Sequence, residues 1–201
     1  MLIAISAVIG FVAGSLPFSV WLVRWITHGD VREVGDGNPG AINAGRAGGW
    51  RAGVLVLVLD AAKGGLPVIL ARFVFALDSW ALIPVVLSPV LGHAVSPWLR
   101  FRGGKGIAAT FGVWSALTYW VVPTTLGGFM SAIMAVQSVN AWTVVMASVF
   151  TLIVLGLIHA ETPLIVAFAL NLALLVFTHR RELRSTPKWR GSSGKKKEAQ
   201  N

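Results

Sequence analysis

The chain predicts an all-α integral membrane protein with about seven crossings, on the strength of three observations. Hydrophobic residues make up 55% of it and charged residues 12%, with a mean hydropathy of +0.73. Uncharged runs long enough to span a bilayer recur along it. The basic residues are gathered into three groups separated by those runs. Water cannot be the main solvent of such a chain, and its 201 residues suit one domain of packed helices. The absence of cysteine excludes disulfides, thiolate metal sites and a cysteine acyl-enzyme.

Residues 2–23 carry no charged side chain. About 20 apolar residues cross a hydrocarbon core of roughly 30 Å as a helix, and Trp21, Arg24 and Trp25 suit the lipid-water boundary where the run ends. No basic region precedes it and no A-x-A-like site closes it, so it reads as a retained helix, not a cleaved leader. Gly10 and Gly14 within it form G-x-x-x-G, the pattern of a close helix contact.

The next stretch, "GDGNPGAINAGRAGG" at 35–49, has the dinucleotide-loop spacing G-x-G-x-x-G at Gly35, Gly37 and Gly40, with Asp60 twenty positions on. That fingerprint needs a short strand before the glycines and a βαβ unit around them. A membrane helix precedes them instead, so the dinucleotide reading fails.

Two apolar runs follow, 54–77 and 80–99, parted near Asp78 and Ser79. Residues 106–178 contain one formally charged side chain, Glu161, and breaks near Pro123 to Gly128, Gln137 to Asn140 and His159 to Pro163 divide them into four spans. The sum is seven helices. Arg24, Arg32, Arg46 and Arg51 form the first basic group, and Arg100, Arg102 and Lys105 the second. Arg180, Arg181, Arg184, Lys188, Arg190 and Lys195 to Lys197 form the third, leaving only Lys63 and Arg72 of the 17 Lys and Arg. An even number of crossings between groups puts them on one face. Because Lys and Arg stay cytoplasmic, the N-terminus is expected outside and the C-terminus in the cytosol. Residues 1–184 form the membrane domain, and 185–201 a basic, disordered cytosolic tail. That tail, and the net charge of +9, suit anionic membrane lipids; no aromatic stacking platform accompanies them, so no nucleic-acid partner is expected.

With this topology "GSLPFSVWLVR", the first glycine-rich loop, "GHAVSPWLRFRGGKGIAATFG" and "THRRELR" all meet the cytoplasmic boundary. Glycines let backbone N–H groups approach an anion, and Arg and Lys supply charge. "FRGGKGIAAT" is not a Walker A loop, since Gly106 follows Lys105. It opens a helix at Ile107, either with the N–H groups of Gly103 to Gly106 facing an oxyanion or as a basic boundary turn with glycines for tight packing. Asp60 and Lys63, at i and i+3, are expected to pair. His28 and His159 read as structural.

These segments, in order and over most of the chain, resemble the bacterial acyl-phosphate:glycerol-3-phosphate acyltransferases, the PlsY family. "GSLPF" resembles its first-helix signature, "GNPGAINAGRAGG" its first loop, and "LDAAKGGLPV" its second helix. "LGHAVSPWLRFRGGKGIAATFG" resembles its second motif and "HRRELR" its closing segment. The resemblance implies a seven-helix enzyme moving a fatty acyl group from acyl phosphate to the 1-hydroxyl of glycerol 3-phosphate, giving lysophosphatidic acid, in the bacterial inner membrane. It implies no metal and no cofactor. Carried onto this chain, Arg46 and Lys105 are the phosphate clamps, Asn38, Gly40 and Asn43 shape the first loop, and Gly103, Gly104 and Gly106 supply backbone donors. His179 is the candidate for positioning a hydroxyl or phosphate or moving a proton; His93 is either catalytic or a boundary histidine capping backbone. The alternative is a non-enzymatic or re-specialised membrane paralogue that binds or transports an anionic lipid.

Three positions depart from the family pattern. Ser-Gly-Asn is here Asp36-Gly37-Asn38, the closing His-Arg-x-Asn is His179-Arg180-Arg181-Glu182, and the Arg-Tyr of the fifth helix is Gly128-Phe129 with Ser131 kept. Asp36 is then a base for the acceptor hydroxyl; or Asp36 and Glu182 pair with surplus Arg such as Arg180 or Arg181; or the chain is a paralogue of changed activity. Pairing is the preferred reading.

Overall fold

Among residues 1–190, which the computed structural model describes, there are nine α-helices, and the only β pairing is an isolated bridge between Gln137 and Trp189. The chain divides into two compact units, Met1–Tyr119 and Trp120–Asn201. Residues 191–201, most of the expected tail, lie outside the described residues.

The first unit holds α1 (Leu2–Ser15), α2 (Phe18–Thr27), α3 (Ala41–Gly48), α4 (Trp50–Ile69), α5 (Leu82–Ala94) and α6 (Ile107–Thr118). Its burial pattern is the reverse of a soluble bundle's. On α1, Val8 and Val12 are exposed while Ser6, Gly10, Gly14 and Ser15 face inward. Leu55 and Val58 of α4 point outward while Asp60, Lys63, Gly64 and Gly65 are buried. An apolar exterior suits a lipid solvent, where helices gain most from close backbone approach and not from burying leucine. Gly10 and Gly14 lie against Ser88 and Pro89 of α5, and Gly64 and Gly65 against Ala109 and Gly112 of α6, with no room for a Cβ at these seams.

The first run is not one continuous helix. It breaks at Leu16 and Pro17, because proline has no N–H to continue the ladder and pushes the residue before it towards extended backbone. Leu16 has φ −61° and ψ 124°. At the other end of the unit, α4 runs into a wider turn over Leu70–Val74, where Arg72 Nη1 donates to the Leu117 carbonyl at 2.6 Å.

The second unit holds α7 (Val121–Val136), α8 (Asn140–Leu157) and α9 (Thr162–His179), with α8 packed against both others. The four helices expected between 106 and 178 are present, but the first break falls at Tyr119 and Trp120, before the expected one. Tyr119 takes the left-handed φ of 54°. Pro123 sits in the first turn of α7, where the N–H it lacks would have no partner anyway. Of the expected tail, Lys188 and Arg190 are tied by backbone hydrogen bonds to Ser138 and Val136, and the Ser185 carbonyl accepts from Trp142.

Five helical stretches are long and apolar enough to cross a membrane: Leu2–Thr27, Trp50–Val74, Ser79–Leu99, Asn140–Leu157 and Thr162–His179. Ile107–Thr118 and Val121–Val136 are shorter apolar helices.

A side chain at Gly14 would collide with the Pro89 backbone, whereas nothing lies within 4 Å of a Cβ placed on Gly128. Gly14→Val is expected to lower stability by about 1–3 kcal/mol through overpacking, and Gly128→Ala to be neutral or slightly stabilising. Thermal unfolding in detergent reads both.

Candidate anion cleft and apolar groove

The cleft in the first unit begins at the break in α1–α2. A continuous helix would satisfy the Ser15 and Leu16 carbonyls from its own next turn; here side chains from other segments do so. Ser96 Oγ donates to the Ser15 carbonyl at 2.6 Å, Lys63 Nζ to the Leu16 carbonyl at 2.7 Å, and Trp98 Nε1 to Ser15 Oγ at 3.1 Å. Lys63 also pairs with Asp60 at 2.7 Å, as their spacing on α4 predicts, and lies 5.7 Å from the Phe18 ring. Pro17 was visible in the sequence; the partners that hold the break, Lys63, Ser96 and Trp98, carried no local signal.

The first loop leaves α2 through a turn capped by Asp30, whose carboxylate holds Arg32 in a fork at 2.6 and 3.0 Å. The Arg32 side chain keeps the Asp30 carboxyl at about 2. Gly35 and Gly37 follow with φ of +63° and +74°, values that favour glycine. A Cβ at Gly35 would also strike Arg46 and Asn43, so this glycine lets the loop fold against α3.

Between these glycines stands Asp36, on which the two loops converge. Its Oδ1 accepts from Asn43 Nδ2 at 2.8 Å and from the Asn38 N–H at 3.2 Å, and its Oδ2 accepts from Lys105 Nζ at 2.6 Å. Asn43, itself buried, passes the chain on by accepting from Arg46 Nη1 at 3.1 Å. Asn38, Asn43, Arg46 and Lys105 are thereby brought together around one carboxylate. Partial burial alone would raise the Asp36 pKa, but the hydrogen bonds from Lys105 and Asn43 and the Lys105 charge outweigh it and hold the group at about 2. A carboxylate so held is a weak base. Its cation is Lys105, not the Arg180 or Arg181 that the sequence reading favoured; Arg180 stacks on the Phe177 ring at 4.1 Å and donates to the Phe177 carbonyl.

The second loop corrects another expectation. The N–H groups of Gly103 and Gly104 donate to the carbonyls of Ala94 and His93 at 3.0 and 3.1 Å, so they close a backbone ladder and do not face an anion. Glycine is required there because a Cβ would overlap His93. Gly40 precedes α3, and Gly106, at φ +82°, precedes α6, the helix expected to open at Ile107. His93 is buried behind Gly104, with Nδ1 3.9 Å from Asp60 Oδ1, beyond hydrogen-bond reach.

The cleft floor, which includes Leu16, Lys63, His93, Ser96 and Gly104, adjoins an apolar groove of about 470 Å³ between α1 and α4. Leu16 and Lys63 line both, and Ile9, Ala13, Leu59 and Leu66 continue the groove. His179 belongs to the second unit. It ends α9, buried, with Nδ1 2.8 Å from the Leu175 carbonyl; a carbonyl only accepts, which puts the proton on Nδ1 and leaves Nε2 as the basic nitrogen. Glu182 opens a short turn after it, its carbonyl accepting from Ser185. Among the described residues no cluster of His, Cys, Asp and Glu could hold a metal.

A multi-pass helical chain with an apolar exterior and a polar cavity beside an apolar groove is an integral membrane protein. The chain belongs to the glycerol-3-phosphate acyltransferase family, whose model matches residues 4–187. It is 39% identical to the glycerol-3-phosphate acyltransferase of Anaeromyxobacter sp. (strain K), over 89% of this chain and 90% of that one. It is 40% identical to that of Thermus thermophilus (strain ATCC BAA-163), over 89% and 88%. The fold is similar to the crystal structure of PlsY (YgiH), an integral membrane glycerol 3-phosphate acyltransferase, in its glycerol 3-phosphate form: TM-score 0.81, 28% identity, 90% of each chain covered. Its lysophosphatidic acid form gives 0.80 and 27%, again over 90% of each chain.

Two outcomes follow from the geometry. Lys63→Met leaves the Asp60 charge buried alone and is expected to cost about 3–5 kcal/mol; Lys63→Met/Asp60→Leu should recover the part due to that charge and keep the part due to the unpaired Leu16 carbonyl, and thermal unfolding in detergent checks both. For Asp36, a folded value of about 2 against an ordinary 3.8 means that its contribution is complete above pH 4 and disappears as pH falls through 2. Its side-chain carboxyl ¹³C signal should titrate near 2 and move towards the ordinary value in Lys105→Met.

Proposed function

We propose that the chain transfers a fatty acyl group from acyl phosphate to the 1-hydroxyl of glycerol 3-phosphate at the cytosolic face of the bacterial inner membrane. Acyl transfer to glycerol 3-phosphate, giving lysophosphatidic acid, is the activity of its family, and the chain is an acyltransferase. Acyl phosphate as donor, the membrane and its face, and the roles of individual residues are our reading. The observation that carries it is a small polar cavity, lined by Pro39 and Gly104 of the two loops, that shares Leu16 and Lys63 with the apolar groove. A long acyl chain in the groove would point its phosphate end at that cavity, whose Pro39 and Gly104 belong to the loops bearing Arg46 and Lys105.

The chemistry needs little from the protein beyond placement and charge. The acceptor hydroxyl oxygen bonds to the acyl carbon, the bond from that carbon to the phosphate oxygen breaks, and inorganic phosphate leaves. The hydroxyl proton passes to the departing phosphate. Acyl phosphate is a mixed anhydride with a good leaving group, so holding both partners in attack geometry and stabilising the developing oxyanion supply the rate. We assign Arg46 and Lys105 to the phosphates, Asn38, Gly40 and Asn43 to the shape of the first loop, and Gly106 to the backbone facing the donor. Gly103 and Gly104 hold the second loop on α5. His93 supports Gly104 from behind, and Asp36 holds Lys105 while the site is without substrate and does not take the proton.

The membrane arrangement that goes with this reading is seven crossings, with α1 and α2 counted as one broken span and α3 as a loop helix. The N-terminus lies outside, the C-terminus lies in the cytosol, and residues 1–184 form the functional domain. Sidedness rests on the three basic groups.

Purified protein in detergent, given glycerol 3-phosphate with acyl phosphate, acyl-carrier protein thioester or acyl coenzyme A, should produce lysophosphatidic acid with acyl phosphate alone. Arg46→Ala and Lys105→Ala should each lower kcat/KM by roughly 10- to 100-fold, in line with about 1.5–3 kcal/mol for a hydrogen bond to a charged group. Turnover with coenzyme A esters but not acyl phosphate would overturn the donor assignment.

A further inference from the structure

The donors around Asp36 are the kind a phosphate needs: an ammonium, a side-chain amide and a backbone N–H, from the two loops and α3, within 2.6–3.2 Å of one carboxylate. A carboxylate with both oxygens so engaged is itself a bound anion. We infer that Asp36 is an internal competitor for the phosphate site: substrate phosphate binds by displacing this carboxylate from Lys105 and Asn43, and the carboxylate returns to them as the phosphorylated product leaves. The inference rests on the reading of Lys105 as a phosphate ligand.

Three features make the exchange physically available. The Asp36 side chain is 49% exposed and that of Lys105 18%, so the pair is open to water on the carboxylate side and is not locked into the interior. The flanking residues Gly35 and Gly37 both have positive φ, and the turn can swing without carrying a Cβ through Arg46 or Asn43. Asn43 and Arg46 are linked to each other, so these two stay together when the carboxylate departs. A phosphate dianion offers more charge and one more oxygen than the carboxylate and wins the exchange. A carboxylate that stayed beside it would repel it, so displacement must accompany binding. Asp36 thereby sets how much phosphate is needed to fill the site and shortens the time that product stays.

The test uses the full chain in detergent, comparing the parent with Asp36→Asn and Asp36→Ser. Asn keeps the shape and an acceptor for the Asn38 N–H, which guards the turn. The expected result is a fall of about threefold or more in KM for glycerol 3-phosphate or acyl phosphate and in the inhibition constant of inorganic phosphate, in both variants. kcat should fall by less than KM does, through slower release of product. Unchanged or raised KM and inhibition constants overturn the inference, as does a collapse of kcat at constant KM, which would make Asp36 the proton acceptor. A second readout needs no turnover: inorganic phosphate should raise Tm more in the variants than in the parent, and an equal or smaller rise counts against the competitor. A parent without turnover would sink the functional reading; a working parent with indifferent variants sinks this inference alone.

Discussion

The cleft depends on how a broken helix satisfies its backbone in a solvent that offers no hydrogen bonds. Unpaired carbonyls at membrane depth cost several kcal/mol each, so a break persists only where protein groups take them up. Pro17 forces the break, and Lys63 and Ser96 answer it from α4 and from the loop after α5. A local defect thus draws three distant segments to one point. The same ammonium ion-pairs with Asp60, so the pin is charged, buried and electrically balanced.

That pin also explains why the polar cleft and the apolar groove adjoin. Lys63 reaches the carbonyl from the groove side, along the stem that its methylenes share with Leu16 and Phe18, and delivers its charge at the cleft floor. The loops above it follow a different rule. Asp36 and Lys105 are partly solvated, and exposed pairs of this kind are worth about 0–1 kcal/mol. Two unit charges about 4 Å apart interact by roughly 4 kcal/mol at an effective dielectric near 20, so a carboxylate held beside bound phosphate would cost more than the pair is worth. The buried pair is structural and the exposed pair is exchangeable, a division set by solvent access.

The fold was legible where physics is local. Apolar run length marked the spans, Gly10 and Gly14 marked a close seam, and the spacing of Asp60 and Lys63 marked their pairing. Breaks were located less well: Pro123 looked like a stop but stands in a first helical turn, and Pro17, inside an uncharged run, did not look like one. The cleft was legible as composition, since glycines with Arg and Lys at a boundary suggest an anion. Its wiring was not, because the partner of Asp36 lies 69 positions away at Lys105 and the N–H groups of Gly103 and Gly104 are taken up by α5. Long-range pairing of that kind leaves no trace in the spacing of a single sequence.

What this account needs above all is that the loops after α2 and α5 share one side of the bilayer around the pinned break. Because the chain has no cysteine, single cysteines report sidedness without background. The measurement is labelling by an impermeant thiol reagent in sealed vesicles of known orientation, with cysteine placed in turn at the exposed positions Arg32, Arg102, Arg184 and Asp78. The account predicts that the first three react only from the cytosolic side and Asp78 only from the other. Labelling of Arg32 and Arg102 from opposite sides would contradict it.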